Sequence, residues 1–228
     1  PALYPLRVTV TANGTADTAE QRIGIRTIQV SSKTGLLLNG QLRTMKGGCI
    51  HHDLGILGAA DHAAAERRRI RLMKESGFDA IRAAHNPFGP AFLDACDELG
   101  MLVVEEAFDE WVMGRTSFGL HVTFEQCWEK DLEDMITRDY NHPCIVMWST
   151  GNEVEERDGT ADGFAWAKRL ADKVRSLDAS RPVSATACAL FSEYGNRPAG
   201  GTTGNQALNM AYDTFAEGRD IWGPGTAP

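Results

Sequence analysis

The run Ile145-Val146-Met147-Trp148-Ser149-Thr150-Gly151-Asn152-Glu153 carries the densest chemistry in this sequence. A short apolar stretch ends abruptly in an amide and a carboxylic acid. The C-terminal rim of a parallel sheet is where α/β enzymes build their sites. There a Glu can transfer a proton to a glycosidic oxygen while the neighbouring Asn grips a sugar hydroxyl. Position alone also allows Glu153 to cap a helix or to pair with a surface arginine.

Other apolar stretches end in polar groups too. His51-His52-Asp53, His85-Asn86-Pro87, and Glu105, Glu106, Asp109, Glu110 and Trp111 each follow one. In a parallel barrel these ends meet at one rim, so residues far apart in sequence share a pocket. Singly, His52 and His85 read equally well as satisfied structural histidines. Trp111 reads as core or as a platform for a sugar face. His51-His52-Asp53 is a poor metal site, because neighbours in a strand point to opposite faces.

The elements that must position these groups fall into two regimes. Leu6, Val8 and Val10 alternate with Arg7, Thr9 and Thr11 as a strand, Asn13-Gly14 marks a turn, and Arg22 to Val30 reads as a second strand with a change of face near Arg26-Thr27. Two such strands are not stable alone and read as the last strands of a β-sandwich, residues 1–33. From residue 34 to 228 the pattern becomes strand–helix alternation. Leu36 to Gln41 is a hairpin around Asn39-Gly40, and residues 43–49 are a strand ending at Gly47-Gly48-Cys49. Helices are expected over 60–76, 90–99, 124–140 and 161–177, the last packing Phe164, Ala167, Leu170, Ala171 and Val174 on one side. Strands are expected over 80–83, 101–104, 145–148 and 182–185, and a further helix over 205–216. The fold class is α/β: a partial (β/α)8 barrel of about five units, since a whole barrel takes roughly 250 residues. A doubly wound sheet is the alternative, without the Gly-x-Gly-x-x-Gly that usually supports it.

Composition narrows the class of partner. Among 228 residues the net charge is −8, and the basic run Arg67-Arg68-Arg69-Ile70-Arg71 lies in a helical pattern as a solvated face. Neither nucleic acid nor an anionic membrane is expected as partner. No window approaches the length of apolar sequence that spans a bilayer. Five scattered cysteines (Cys49, Cys96, Cys127, Cys144, Cys188), without a Cys-x-x-Cys pair, read as free thiols in a reducing, cytoplasmic setting.

Four segments together carry a resemblance: Lys46 to Asp53, Met73 to Arg82, Ala84-His85-Asn86-Pro87, and Trp148 to Glu153. In this order they resemble glycoside hydrolase family 2, which contains β-galactosidases, β-glucuronidases and β-mannosidases. Residues 3–33, including Gly24-Ile25-Arg26, resemble the end of that family's immunoglobulin-like sandwich. The loop Glu106-Ala107-Phe108-Asp109-Glu110-Trp111 looks most like the β-galactosidase branch. The resemblance implies that Glu153 is the general acid/base of a retaining hydrolase of terminal β-linked sugars. It implies that Asn152 binds the sugar 2-hydroxyl, that His85 and His52 line or support the sugar pocket, and that Arg82 orders the site. Asp109, Glu110 and Trp111 join the carbohydrate-binding set. Glu110 falls where some β-galactosidases place a magnesium-ligating Glu. They have His two residues later, where this chain has Val112, so no metal or other cofactor is expected.

Retaining chemistry needs a second carboxylate about 5–5.5 Å from the first. Ser192-Glu193-Tyr194-Gly195 resembles the family's nucleophile motif by eye. Roughly 40 residues separate Glu153 from Glu193, room for one strand–helix unit, which residues 182–185 already use. The nucleophile is therefore expected beyond Pro228, and the chain reads as part of a barrel whose exposed sheet edge invites self-association into a homo-oligomer.

Overall fold

The computed structural model describes residues 1–184, apart from 32, 159 and 160. It opens with an antiparallel hairpin, β1 (Tyr4–Ala12) and β2 (Thr15–Ile23), paired residue for residue from Tyr4↔Ile23 to Ala12↔Thr15. Asn13 and Gly14 both adopt positive φ (51° and 78°), the geometry a two-residue hairpin turn requires. The second strand thus starts directly after the turn, earlier than the hydrophobic pattern of residues 22–30 suggests. It stops at Ile23 because Gly24 passes against Pro143: a Cβ on Gly24 would lie 2.6 Å from the proline ring. Arg26 then donates through Nη2 to the Ile145 carbonyl at 2.6 Å, tying this segment to the base of the larger sheet.

A three-stranded antiparallel sheet follows, β3 (Ile28–Ser31), β4 (Gly35–Leu38) and β5 (Gln41–Arg43), with the anticipated Asn39-Gly40 turn. The anticipated division at residues 33 and 34 falls between β3 and β4, inside this sheet.

The remaining strands form one parallel sheet: β6 (Gly47–His51), β7 (Ala80–Ala84), β8 (Leu102–Glu106), β9 (Ile145–Ser149) and β10 (Val183–Ser184). Their spatial order follows the sequence without reversal. A doubly wound sheet reverses direction at a switch point, so the alternative fold is set aside and a partial barrel remains. Helices α1 (Ala63–Glu75), α2 (Pro90–Leu99), α3 (Phe124–Asp139) and α4 (Ala161–Leu177) supply the crossovers. Proline at its first turn and Gly100 in the left-handed conformation at its end bound α2 where the sequence marks both.

The strand expected over 43–49 lies further on, at 47–51. Its glycines are inside the strand because β6 and β7 run very close: a Cβ on Gly47 would sit 2.6 Å from the Ala80 carbonyl oxygen. His51 is therefore the last strand residue and His52 the first beyond it.

The core lies between the sheet's outer face and the helices. Ile81, Ala83, Val103, Ile145 and Trp148 pack against Ile70, Phe92, Leu93, Phe124, Leu132, Ile136, Leu170 and Val174, all buried. Each large side chain so buried contributes about 1.5–3 kcal/mol. The inner face differs. One register row, Cys49–Arg82–Val104–Met147, faces inward and stays partly exposed, because the described strands curve without closing. Among the described residues no helix is long and apolar enough to cross a membrane.

Candidate active site

Glu106, at the end of β8, organises the rim. It is fully buried and points inward, one step along the strand from the Val104 row. Arg82 meets it with two parallel hydrogen bonds, Nε to Oε2 at 2.9 Å and Nη2 to Oε1 at 2.8 Å. Ser149 donates its hydroxyl to Oε2 at 2.7 Å, and His85 Nδ1 lies 3.0 Å from Oε1. Strands β7, β8 and β9 are thus cross-linked through one carboxylate. Burial alone would lower the pKa of Arg82; the Glu106 charge and the hydrogen bonds to Cys49 and Glu106 together outweigh it and leave the guanidinium above its ordinary value. The forked pairing is the strong form of this contact.

From Arg82 the polar chain runs to the end of β9. Arg82 Nη2 donates to Asn152 Oδ1 at 2.7 Å, and Asn152 Nδ2 donates to Asp109 Oδ1 at 2.9 Å. Asn152 is buried and its amide is oriented on both sides. Asp109 Oδ2 pairs with Arg115 at 2.5 Å, and Arg115 Nη1 reaches Glu153 Oε2 at 3.0 Å. The pairing of Glu153 with an arginine, which position alone allows, is realised here beside the amide that also belongs to the site.

The sequence-expected residues divide into those the structure gathers and those it does not. Arg82, His85, Asp109, Asn152 and Glu153 belong to one connected network. His52 stands beside it: its ring packs edge-on against Phe88, with centroids 5.0 Å apart, and Nε2 lies 3.1 Å from the Ala59 carbonyl. His51 turns the other way and meets the His85 ring at 5.1 Å. The two neighbouring histidines thus have different ring partners, though both border the same hollow.

Trp111 is corrected from sugar platform to core. It is 2 % exposed, and its indole N–H donates to the Thr150 carbonyl at 2.8 Å. Gly151 packs so closely on the indole that a Cβ there would lie 2.9 Å from Nε1. Trp111 thus supports the backbone that presents Asn152 and Glu153, with no face left for a ligand.

Glu110 is corrected as well. It is buried, and its carboxylate accepts from the His121 N–H at 3.1 Å and the Arg115 N–H at 3.1 Å, with His121 Nδ1 at 3.0 Å. Burial alone would raise its pKa, but the hydrogen bonds from His121 and Arg115 win and hold it below the usual carboxylate range. A magnesium ion does not fit this set: it wants several oxygens, whereas three N–H groups and the Arg115 cation surround this carboxylate. Glu110 instead pins the loop between β8 and α3.

Two hollows open at the rim. The larger, about 710 Å³, is walled by His51, His52, His85, Asn86 and Asp109, with Asp131 and Arg138 of α3 opposite. The smaller, about 320 Å³, lies over Asp109, Glu110, Arg115 and Leu120. Asp109 lines both. It contacts Asn152 directly and Glu153 only through Arg115, and neither Asn152 nor Glu153 is among the residues that wall these two hollows. Glu193 and the helix expected over 205–216 lie outside the described residues.

Sequence reading named Glu106 only as one of several acids after a strand, and it missed Ser149 and Arg115. Alternation could have found the first two: with Arg82 inward on β7, Glu106 and Ser149 occupy inward positions on β8 and β9. Arg115 lies in an irregular loop where no periodicity applies.

Comparison with known proteins agrees with this architecture. Residues 28–196 match the family model described as the TIM barrel domain of glycosyl hydrolases family 2. A β-galactosidase from Bacteroides ovatus, BoGH2A, is 37% identical over 216 residues, covering 81% of this chain and 25% of its own length. A putative β-glucuronidase from Formosa agariphila is 38% identical over 147 residues, covering 64% of this chain and 14% of its own length. Among solved structures, a family 2 member from Bacteroides cellulosilyticus superposes with a TM-score of 0.77 at 43% identity, over 80% of this chain and 24% of that one. The chain thus spans about a quarter of the length of the β-galactosidase and the solved structure it matches. With the barrel sheet, its rim network and the family match all falling on the same residues, the chain belongs to glycosyl hydrolases family 2.

Proposed function

We propose that this chain supplies the acid/base side of the catalytic barrel of a retaining, β-galactosidase-like hydrolase of terminal β-linked sugars. Glu153 is the proton donor to the leaving oxygen and, after the aglycone departs, the base that takes a proton from water. Asn152 holds the sugar 2-hydroxyl, with its amide fixed by Arg82 and Asp109. His85 and Asp109 contribute polar groups to the 710 Å³ hollow, and His52 supports its wall. The nucleophile is assigned to sequence outside residues 1–228, so the isolated chain is expected to be inactive and the whole protein active.

One observation carries this reading. Asn152 and Glu153 leave β9 side by side, and both side chains are tied to the loop after β8, Asn152 through Asp109 and Glu153 through Arg115. A structural pair of surface residues would not need two adjacent side chains fixed from the neighbouring strand end.

The test is the leaving-group dependence of Glu153→Gln in the whole protein. kcat/KM should collapse for alkyl β-glycosides and survive for activated aryl glycosides, which need little protonation. Equal loss on both removes the assignment. A panel of aryl β-galactoside, β-glucuronide and β-mannoside decides the sugar. If no glycoside turns over while galactose still binds by calorimetry, a carbohydrate-binding module replaces the enzyme.

A further inference from the structure

Arg115 touches both the loop after β8 and the proposed acid. Its guanidinium lies 2.5 Å from Asp109 Oδ2, 3.3 Å from the Asp109 carbonyl and 3.0 Å from Glu153 Oε2. Its own backbone N–H is anchored on Glu110 Oε2 at 3.1 Å, and Glu110 is in turn held by His121. The side chain is only 25% exposed. Burial alone would lower the Arg115 pKa, but the hydrogen bond and charge of Asp109, with Glu153 and Glu110 behind them, keep it above the ordinary value. Arg115 is thus a fixed charge on a fixed loop.

Asp109 is shared. One oxygen accepts from Asn152 and the other from Arg115. The side chains of Asn152 and Glu153 are therefore spaced against each other through a two-residue bridge, Asp109–Arg115. Both lie past the end of β9 in irregular backbone, where no strand or helix period fixes the angle between their side chains. The 2-hydroxyl and the glycosidic oxygen sit on neighbouring carbons of one sugar, so the groups that meet them must be held at a matching separation.

We propose that Arg115 is a positioning residue for the acid/base step: it acts through Glu153, setting the carboxyl group against Asn152 and the bound sugar. This rests on the assignment of Glu153 as acid/base. The Glu110–His121 pair is the foundation of the device, giving that carboxylate a role that requires no metal.

A displaced acid hurts only substrates that need it. In the whole protein, Arg115→Met should lower kcat/KM for an alkyl β-glycoside by about 10–100-fold, the scale of a misplacement near 1 Å. It should change kcat/KM for an activated aryl glycoside by less than about threefold, because that substrate departs without a proton. Arg115→Lys, which keeps the charge but loses the fork, should recover part of the loss. Placed on Glu153→Gln, Arg115→Met should add no further loss, since residues acting as one unit are non-additive. Equal loss on both substrates, no recovery with lysine, or losses that multiply in the double variant would each overturn the proposal. A leaving-group-independent Glu153→Gln removes the acid assignment and Arg115's role with it. A leaving-group-dependent Glu153→Gln beside a leaving-group-independent Arg115→Met removes Arg115's role alone.

Discussion

Glu105 and Glu106 are consecutive carboxylates on one strand with opposite surroundings. Glu106 faces the barrel interior and meets Arg82, His85 and Ser149. Glu105 faces the helices, where its Oε1 accepts the Phe88 N–H at 2.7 Å and its Oε2 has no hydrogen-bond partner. Both are 0% exposed. One acid has a forked cation and a hydroxyl; the other has a single amide. Strand alternation separates them, and the neighbours decide their chemistry.

Glu105 should make the fold lose stability as pH rises above the ordinary carboxyl range. Burial pushes its pKa well above the ordinary value; the Phe88 amide opposes this and the Asp139 charge adds to it. The folded state therefore holds a proton that the unfolded chain, with a carboxyl near pKa 4.3, releases early. Wherever the folded state binds more protons, stability falls as pH rises. The contribution is fully present below the unfolded pKa and is lost as pH climbs through the raised folded value. Glu105→Gln keeps an oxygen for Phe88 and removes the titration. Urea unfolding from pH 4 upward should show wild-type stability declining through that window while the variant stays flatter; parallel curves would refute the assignment.

Arg82 and Glu106 should be strongly coupled. Arg82→Met leaves a fully buried carboxylate with only His85 and Ser149, and breaking a buried pair from one side costs about 3–5 kcal/mol. Arg82 keeps some solvent, with its side chain 29% exposed, so the lower end applies. Adding Glu106→Gln removes the stranded charge and should restore at least half of that loss. A double-mutant cycle by denaturant unfolding measures this, and additive losses would mean that the fork contributes little.

What the sequence made legible follows from which forces are local. The helix α2 was readable to the residue because proline and glycine act on their own backbone at its two ends. Sequential strand–helix alternation was enough for the barrel. The offset of β6 was not readable: Gly47 and Gly48 look like a strand end, and only the approach of Ala80 explains why glycine is needed inside the strand. At the site, Asn152, Glu153, Arg82 and His85 were named from strand ends and from resemblance. Glu110 and Trp111 suit a sugar site by type, as an acid and an aromatic after a strand. Their partners, His121 further along the same connection and Thr150 just past β9, are fixed by the folded loop and not by local pattern, and those contacts decide the outcome.

Trp111 gives a direct test of that last distinction. A stacking residue acts on sugar affinity, whereas a buried support acts on stability and on the placement of the groups it carries. Trp111→Phe retains most of the ring but leaves the Thr150 carbonyl without its donor, at a loss of about 0.5–1.5 kcal/mol for the hydrogen bond and up to about 3 kcal/mol if the carbonyl stays unsatisfied. The Gly151 backbone then loses its close neighbour, directly behind Asn152 and Glu153. The unfolding midpoint should fall while KM for an activated aryl glycoside stays within about twofold of wild type. A rise in KM with unchanged stability would restore the platform reading and place the indole face against the sugar.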